Sequence, residues 1–292
     1  MQLRVYSCWQ QAKTETPKKI MSLLHYIITK EKLDLDKFKR NVSNITDTKF
    51  ENRGDNTLYF WVEGKSTRGL DITLENDFIE IRNTILSNNH DYDLTNKVIE
   101  IILNLTSGTL INEEEETISK LPIFNAELIK KNEIQDCETI QLLSKENEEI
   151  TIYGPERKVY FGLKTHEKFK NLEKEKLKEK MFNLIIKANY QLPNFEYGNI
   201  LQIGETEENK KIAKLLTNKT NYIIDKYDYI LFDNSDEQPI MITNNALNKI
   251  LPTNWSLIDE FTIVAPIIEK ENWKQLKINA REFDLWNEFT NN

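Results

Sequence analysis

Residues 57–105 constrain the fold of this 292-residue chain more than any other stretch. Residues 58–62 are aromatic and β-branched, and residues 70–74 alternate apolar with polar side chains, the pattern of a half-buried strand. A polar turn leads to a third strand that begins at Phe78, and an apolar helix is predicted over residues 93–105. Strands at hairpin spacing followed by a helix predict an α+β fold, with mostly antiparallel sheets and helices packed on one face.

The same order of elements is predicted a second time further along the chain. Strands over 139–143, 150–153 and 159–163 precede a long helix over 165–190. The two stretches are either related β-β-β-α modules that arose by duplication or two examples of a common α+β arrangement. The polar stretch from 112 to 136 separates an N-terminal module at 1–112 from a C-terminal module at 113–292, with a single domain as the alternative.

The remaining elements are predicted from local patterns alone. Further strands are predicted at 3–8, 200–203, 222–224, 229–232, 240–243 and 261–264. Helices are predicted at 17–28, 34–40, 113–121, 125–131 and 206–216, and from residue 280 to the end. The helix at 17–28 is predicted from a wide apolar stripe and from Thr16 as its N-cap.

Charge, hydropathy and cysteine content argue against several classes of protein. The net charge of −8 repels phosphate backbones, so no nucleic-acid partner is predicted. No apolar run reaches the roughly 20 residues that a membrane helix needs, and the amino terminus lacks the pattern of a secretory signal. Cys8 and Cys137 form neither a disulfide framework nor a metal-binding spacing. We therefore expect a cytoplasmic protein that needs no cofactor and no metal.

One tripeptide resembles part of a phosphate-binding loop. Gly64, Lys65 and Ser66 match the end of that motif, but Tyr59 stands where its first glycine is required. The segment also lies between two predicted strands, so no helix N-terminus would present N–H groups to a phosphate. A polar hairpin turn is the better interpretation.

Four residues are the candidates for catalysis. His90 lies in a polar loop beside carboxylates, where Asp93 is expected to serve as N-cap of the following helix. Asp225, Asp228 and Asp233 flank the strand at 229–232, and carboxylates at strand ends can bind Mg²⁺ or transfer protons. Aspartates at hairpin ends are commonly turn formers, so these residues are turn residues unless they converge in a pocket.

The end of the chain carries an aromatic face. Phe283, Trp286 and Phe289 recur every three residues, so they share one side of a helix. Such a face can bind a partner protein, or it can pack against its own domain.

The segment from Gly64 to Ile72, with the hairpin and helix that follow, resembles a group of uncharacterised bacterial proteins. The resemblance covers about the first third of the chain. It implies a bacterial, cytosolic α+β protein, and it carries no activity and no functional residue.

Two functions remain open on this basis. The preferred one is a non-enzymatic interaction protein, an adaptor or a neutralising, immunity-type partner of another protein, with acidic charge that favours a basic partner. The alternative is an enzyme that handles a small molecule or a phosphate through His90 and the three aspartates. The sequence leaves the oligomeric state open.

Overall fold

The first region of the protein is a six-stranded antiparallel sheet. The computed structural model describes residues 22–147, 149–192, 194–203, 210–233 and 238–287. The strands of this sheet are β1 (Leu23–Ile28), β2 (Thr48–Asn52), β3 (Thr57–Val62), β4 (Leu70–Leu74), β5 (Phe78–Asn83) and β6 (Thr109–Ile111), in the spatial order β2-β3-β4-β5-β1-β6. The three predicted strands are confirmed as β3, β4 and β5, and they are consecutive neighbours in the sheet.

Two helices cover this sheet and share its core. The helix α1 (Leu35–Ser43) has Asp34 as its N-cap, and α2 (Asn89–Thr106) buries Leu94, Val98 and Ile102 against the strands. Apolar residues at helical spacing opposite the alternating residues of the strands explain this packing. Antiparallel strands with helices confirm the predicted α+β class.

The prediction of a helix over 17–28 is wrong where the structure describes that stretch. Residues 23–28 form β1, which pairs with β5 on one side and with β6 on the other. The apolar spacing fits a helix, but backbone pairing with β5 and β6 on both edges holds the segment as a strand, most of whose side chains are half-buried. The strand predicted at 3–8 and the start of the predicted helix lie outside the described residues.

The middle region consists of helices around a two-stranded hairpin. Its elements are α3 (Ala126–Glu146), β7 (Ile150–Tyr153), β8 (Lys158–Phe161), α4 (Leu163–Phe169) and α5 (Lys174–Tyr190). Asn125 caps α3 at the start of the helix predicted over 125–131, but the helix continues through the predicted strand at 139–143. Ile129, Cys137 and Ile140 form one buried stripe at helical spacing, which explains the continuation.

The length of α3 contradicts the predicted repeat of the β-β-β-α order. With 139–143 in α3, two strands and not three precede α4 and α5, so the order β-β-β-α does not recur in the middle region. The predicted long helix is divided at residues 170–173. The acidic run is not helical either, because Asn112 accepts hydrogen bonds from the N–H groups of Glu114 and Glu116 and forms a turn.

The last region contains two small sheets. One has the order β13-β12-β10-β9, built from β9 (Ile200–Ile203), β10 (Lys211–Leu216), β12 (Tyr229–Phe232) and β13 (Ile240–Ile242). The other joins β11 (Tyr222–Ile224), β14 (Ser256–Leu257) and β15 (Ile263–Ala265). The helices are α6 (Asn244–Lys249) and α7 (Lys270–Ala280), and a 3-10 turn at Arg281–Phe283 follows.

A further prediction fails in this region. Residues 211–216 form β10 and not the end of a helix over 206–216, and residues 204–209 are outside the described ranges. β10 is antiparallel to β9 and parallel to β12, so its backbone is hydrogen-bonded on both sides. Tertiary pairing therefore overrides a helical apolar spacing. None of the helices in the described ranges combines the length and the apolar character that crossing a bilayer requires.

Candidate functional site

The carboxylate of Asp91 organises the most connected polar centre among the described residues. Asp91 lies in the first turn of α2 and is fully buried. Its Oδ2 accepts hydrogen bonds from the backbone N–H groups of Thr67 (3.3 Å), Arg68 (3.0 Å) and Asn88 (3.0 Å), and its Oδ1 accepts one from Gly69 (2.8 Å). The carboxylate thus joins the β3–β4 turn to the start of α2.

The hydrogen bonds of the Asp91 carboxylate are made to groups of the protein itself. Burial raises the pKa of Asp91, while the hydrogen bonds it accepts oppose that rise. The side chain of Asn88 accepts from the Asp91 N–H, which completes a capping box and makes Asn88 the N-cap in place of the predicted Asp93. Asp93 is exposed and lies five residues after Asn88, too far into α2 to be its N-cap.

The β3–β4 turn also connects the first and middle regions. The Arg68 guanidinium donates to the hydroxyl of Thr84 (2.8 Å) and to the carbonyl of Tyr153 (2.7 Å), and the Tyr190 hydroxyl donates to the carbonyl of Ser66 (3.0 Å). The tripeptide at 64–66 is therefore a turn between strands, as the sequence predicts. The backbone N–H groups of the next three residues, Thr67, Arg68 and Gly69, donate hydrogen bonds to Asp91.

Two carboxylates of α3 hold the segment before α2. The Leu86 N–H donates to Asp136 (2.8 Å) and the Asn89 N–H donates to Glu133 (2.8 Å). Leu86 has a φ of 66°, a left-handed conformation that a leucine adopts only when its surroundings impose it. Burial raises the pKa of Asp136 to about 7.

The Asp136 carboxyl should make stability depend on pH. Because its folded pKa lies above its unfolded value, the folded state binds the extra proton, and this group's contribution to stability falls as pH rises from about 4 to 7. We expect Asp136→Asn to gain stability relative to the wild type by up to about 1.4 kcal/mol per pH unit across that window. Urea unfolding at a series of pH values measures the difference.

A matched variant separates this effect from net charge. Asp93→Asn removes the same charge from an exposed position on α2. A difference between Asp136→Asn and wild type that stays constant from pH 4 to pH 8 would contradict the assignment.

A small cleft lies between the β7–β8 turn and the last region, and its enclosed volume of about 10 Å³ is room for about one water molecule. Its polar walls include Arg157, Tyr197 and Asp225. Its apolar walls are Ala188, Leu192, Ile223 and Ile258. Arg157 Nη1 is buried with no hydrogen-bond partner, and the guanidinium carbon lies 5.4 Å from the centroid of the Tyr197 ring. Arg157 Nη1 is therefore a buried donor without an acceptor among the described residues.

The edge of the four-stranded sheet is the third candidate site, after the Asp91 centre and the cleft. β9 lies at the end of the strand order, and its Ile200 and Leu201 side chains are 50% and 40% exposed. The Leu215 N–H donates to the Asn199 carbonyl. In an antiparallel pair the backbone groups of alternate residues face the neighbouring strand, so those of Asn199, Leu201 and Ile203 face β10. The N–H and C=O groups of Ile200 and Gln202 consequently point away from β10.

The four candidate catalytic residues occupy separate places. His90 lies in the first turn of α2, and Asp225 lines the cleft. Asp228 and Asp233 lie at opposite ends of β12, roughly 16 Å apart along the strand. Asp228 accepts a hydrogen bond from the Ile212 N–H at 2.8 Å. Within the described ranges, no three His, Cys, Asp or Glu side chains come together as a metal site would require.

The aromatic tail packs on its own sheet in the part that is described. Phe283 is half-buried against the last core and lies under the Lys249 ammonium, and the Leu285 N–H donates to the Met241 carbonyl of β13. Trp286 is half-buried as well, and Phe289 lies outside the described residues.

Several residues of these sites were not recognised from the sequence. Asp91 had a local signal, because Asn88 and Asp91 have the spacing of a capping box. Arg157 and Tyr197 had none, since they are 40 positions apart and converge only through the packing of β8, α5 and β11. The edge strand was predicted, but its position in the sheet depends on long-range pairing.

The fold and these sites define an α+β protein with mostly antiparallel sheets. Residues 5–197, about two-thirds of the chain, match the family described as Domain of unknown function (DUF4299), and the protein belongs to that family. The relationship thus extends beyond the first third from which the resemblance was drawn. No curated protein and no solved structure matches the chain. The matched residues include the Asp91 centre and end at Tyr197, just before β9.

Proposed function

We propose that the protein is a non-enzymatic interaction protein of the bacterial cytosol, an adaptor or neutralising partner that receives an extended segment of another protein along β9. The observation that carries this proposal is the position of β9 at the edge of its sheet among the described strands, where the backbone groups of Ile200 and Gln202 point away from β10. An extended chain can satisfy those groups by adding a strand.

The side chains of this edge favour a partner as well. Ile200, Leu201 and Ile212 are all exposed, and β9 contains no charged residue and no proline. Proteins usually protect an edge strand with charges, proline or a bulge, because an apolar edge is a template for pairing. An edge without those features is suited to binding an added strand.

The charge of the chain bears on the partner's chemistry. The net charge of −8 attracts basic proteins and accelerates their encounter at low ionic strength. We therefore propose a basic partner whose extended segment carries apolar residues at alternate positions.

The variant Gln202→Pro tests the edge directly. Proline lacks the outward N–H of Gln202, and a residue facing away from the sheet is where an edge strand accepts proline. We expect a protein captured from a bacterial lysate by the wild type to be lost with Gln202→Pro and retained with Gln202→Ala, which keeps the N–H. Hydrogen exchange of the Ile200 and Gln202 amides should be fast in the free protein and slowed in the complex.

Two results would contradict the proposal. One is slow exchange of both amides in the isolated protein, since the edge would then be covered already. The other is equal capture by Gln202→Pro and wild type, which would place the contact elsewhere. The tail is the second candidate surface, and Trp286→Ala is the variant that tests it.

A further inference from the structure

We propose that residues 194–203 form a strap that opens from the last region as one unit, and that the Lys214 ammonium buried beneath it favours the opening. The strap is defined by its backbone contacts, which join it to two different sheets. If a partner binds the edge of β9 as proposed above, an open strap cannot offer that edge. The opening itself is a property of the isolated protein and does not depend on a partner.

The strap crosses from the three-stranded sheet to the four-stranded sheet. Its first part pairs with β11, where the Glu196 N–H donates to the Asn221 carbonyl (2.9 Å) and the Ile223 N–H donates to the Glu196 carbonyl (3.0 Å). Its second part contains β9, and there the Leu215 N–H of β10 donates to the Asn199 carbonyl (3.1 Å). Among the described strands the strap lies at the outer edge of both sheets, so it can leave without separating any other pair of strands.

A glycine stands between the two parts of the strap. Gly198 has a φ of 58°, a left-handed conformation that glycine adopts without strain. A Cβ at this position would lie 2.6 Å from Lys214 Nζ and 2.5 Å from the Tyr222 ring. The backbone of the strap therefore rests directly on the end of the Lys214 side chain and covers it.

The Lys214 ammonium is buried in an unfavourable place. The residue is fully buried, and its Nζ has no hydrogen-bond partner among the described residues. Nζ lies 4.6 Å from the centroid of the Tyr222 ring, and both that ring and the Glu196 carboxylate of the strap favour the positive charge. The neighbouring side chain on β12 is the apolar Ile230. An ammonium has three donors, and water satisfies them only when the strap is open.

The balance of these effects shows in the proton affinity of the side chain. Burial has the larger effect and lowers the pKa of Lys214 from 10.5 to about 8, against the opposing charge of Glu196. Because the pKa is lower in the closed state than in an exposed lysine, the open state binds the proton more tightly. The unfavourable burial of the charge is therefore present in full below about pH 8 and vanishes as the pH rises to about 10.5. At neutral pH the strap is poised to open.

Hydrogen exchange of the full chain at pH 7 tests whether the strap opens as a unit. The amides of Glu196, Ile223 and Leu215 are all hydrogen-bonded across the boundary of the strap, so a joint opening gives them similar protection factors. The Glu260 amide, which donates to the Tyr160 carbonyl (3.1 Å), lies outside the strap and reports on the rest of the fold. We expect its protection factor to be at least about tenfold higher than those of the three.

Two variants change the opening in opposite directions. Lys214→Met replaces the charge with an apolar chain, and it should raise the three protection factors together by about tenfold or more. Lys219→Met removes an exposed charge from the turn after β10 and should leave them unaltered. Gly198→Ala places a methyl group against Lys214 and the Tyr222 ring, so it should lower all three by at least about tenfold.

Acylation of lysine amines by an N-hydroxysuccinimide ester measures the opening in the wild-type protein. The buried amine of Lys214 reacts only when the strap is open, whereas the exposed amine of Lys219 reacts at all times. We expect the ratio of the two rates, read by peptide mass spectrometry, to match the open fraction given by the protection factors. This measurement needs no variant to fold.

Three results would overturn the proposal. Protection of the strap amides equal to that of Glu260 would show that the strap opens only when the whole protein unfolds. Protection factors that differ widely between Glu196 and Leu215 would show that the two parts of the strap move separately. Unchanged protection in a folded Lys214→Met variant would show that the buried charge does not favour opening. Circular dichroism and the urea midpoint of each variant establish that it is folded.

Discussion

Replacing Asp91 with alanine is expected to lower the free energy of unfolding by about 4 kcal/mol. The variant leaves four backbone N–H groups, on Thr67, Arg68, Gly69 and Asn88, without their acceptor in a buried place. Each buried and unpaired N–H is unfavourable by about 1–3 kcal/mol, and rearrangement or water recovers part of that loss. Equilibrium urea unfolding followed by tryptophan fluorescence measures the change.

Asparagine at this position should also be destabilising, although it has the same shape. An amide offers one acceptor and one donor group, and both carboxylate oxygens of Asp91 accept from N–H groups. One of those N–H groups would therefore face the amide NH₂.

Asp93→Ala is the matched control for this prediction. Asp93 is exposed on the same helix, so its loss should change stability by no more than about 0.5 kcal/mol. If Asp93 were the N-cap, as the sequence suggested, alanine there would be destabilising by about 1 kcal/mol. A larger effect at 93 than at 91 would contradict the capping described above.

Gly69→Ala is expected to be the second most damaging of these changes, at about 3 kcal/mol. Gly69 has a φ of 64°, and a Cβ there would lie 2.4 Å from the backbone carbonyl oxygen of Phe60 and 2.8 Å from the Tyr59 ring. The carbonyl belongs to β3 and cannot move without breaking strand pairing. The loss combines an unfavourable backbone conformation with a steric clash.

Gly64→Ala separates these two contributions. Gly64 also has a left-handed conformation, with a φ of 73°, but a Cβ there would meet nothing within 4 Å. We expect a loss of about 1 kcal/mol from the backbone conformation alone. Thermal and urea unfolding of both variants gives the comparison, and equal losses would show that the contact with Phe60 is unimportant.

The sequence predicted three of the six strands of the first sheet, β3, β4 and β5, for a physical reason. In β4 and β5, alternate side chains lie on opposite faces of a half-buried sheet, so the strands have a periodicity that local inspection detects. β1 and β10 do not alternate in this way, because apolar residues stand in adjacent pairs, such as Leu23 and Leu24 in β1 and Leu215 and Leu216 in β10. Their apolar spacing was therefore taken for that of a helix.

The candidate sites were less predictable than the strands. Asp225 was identified because aspartates at strand ends are recognisable, and it lines the cleft. Arg157, which lines the same cleft, is 68 positions away in sequence, and no spacing connects the two residues. Asp93 was chosen as N-cap because it precedes the apolar helix, while Asn88 and Asp91 take that role through contacts with the β3–β4 turn.

The sequence by itself determined the α+β class, the strands with a polar face, and the places where α1 and α3 begin. These properties depend on residues within a few positions of one another, where side-chain periodicity and capping act. Only the tertiary structure decided that 23–28 and 211–216 are strands, that β9 is at an edge among the described strands, and that Arg157 and Asp225 line one cleft. Strand pairing and cavities join residues that are distant in sequence, and their free energy comes from contacts that no local pattern contains.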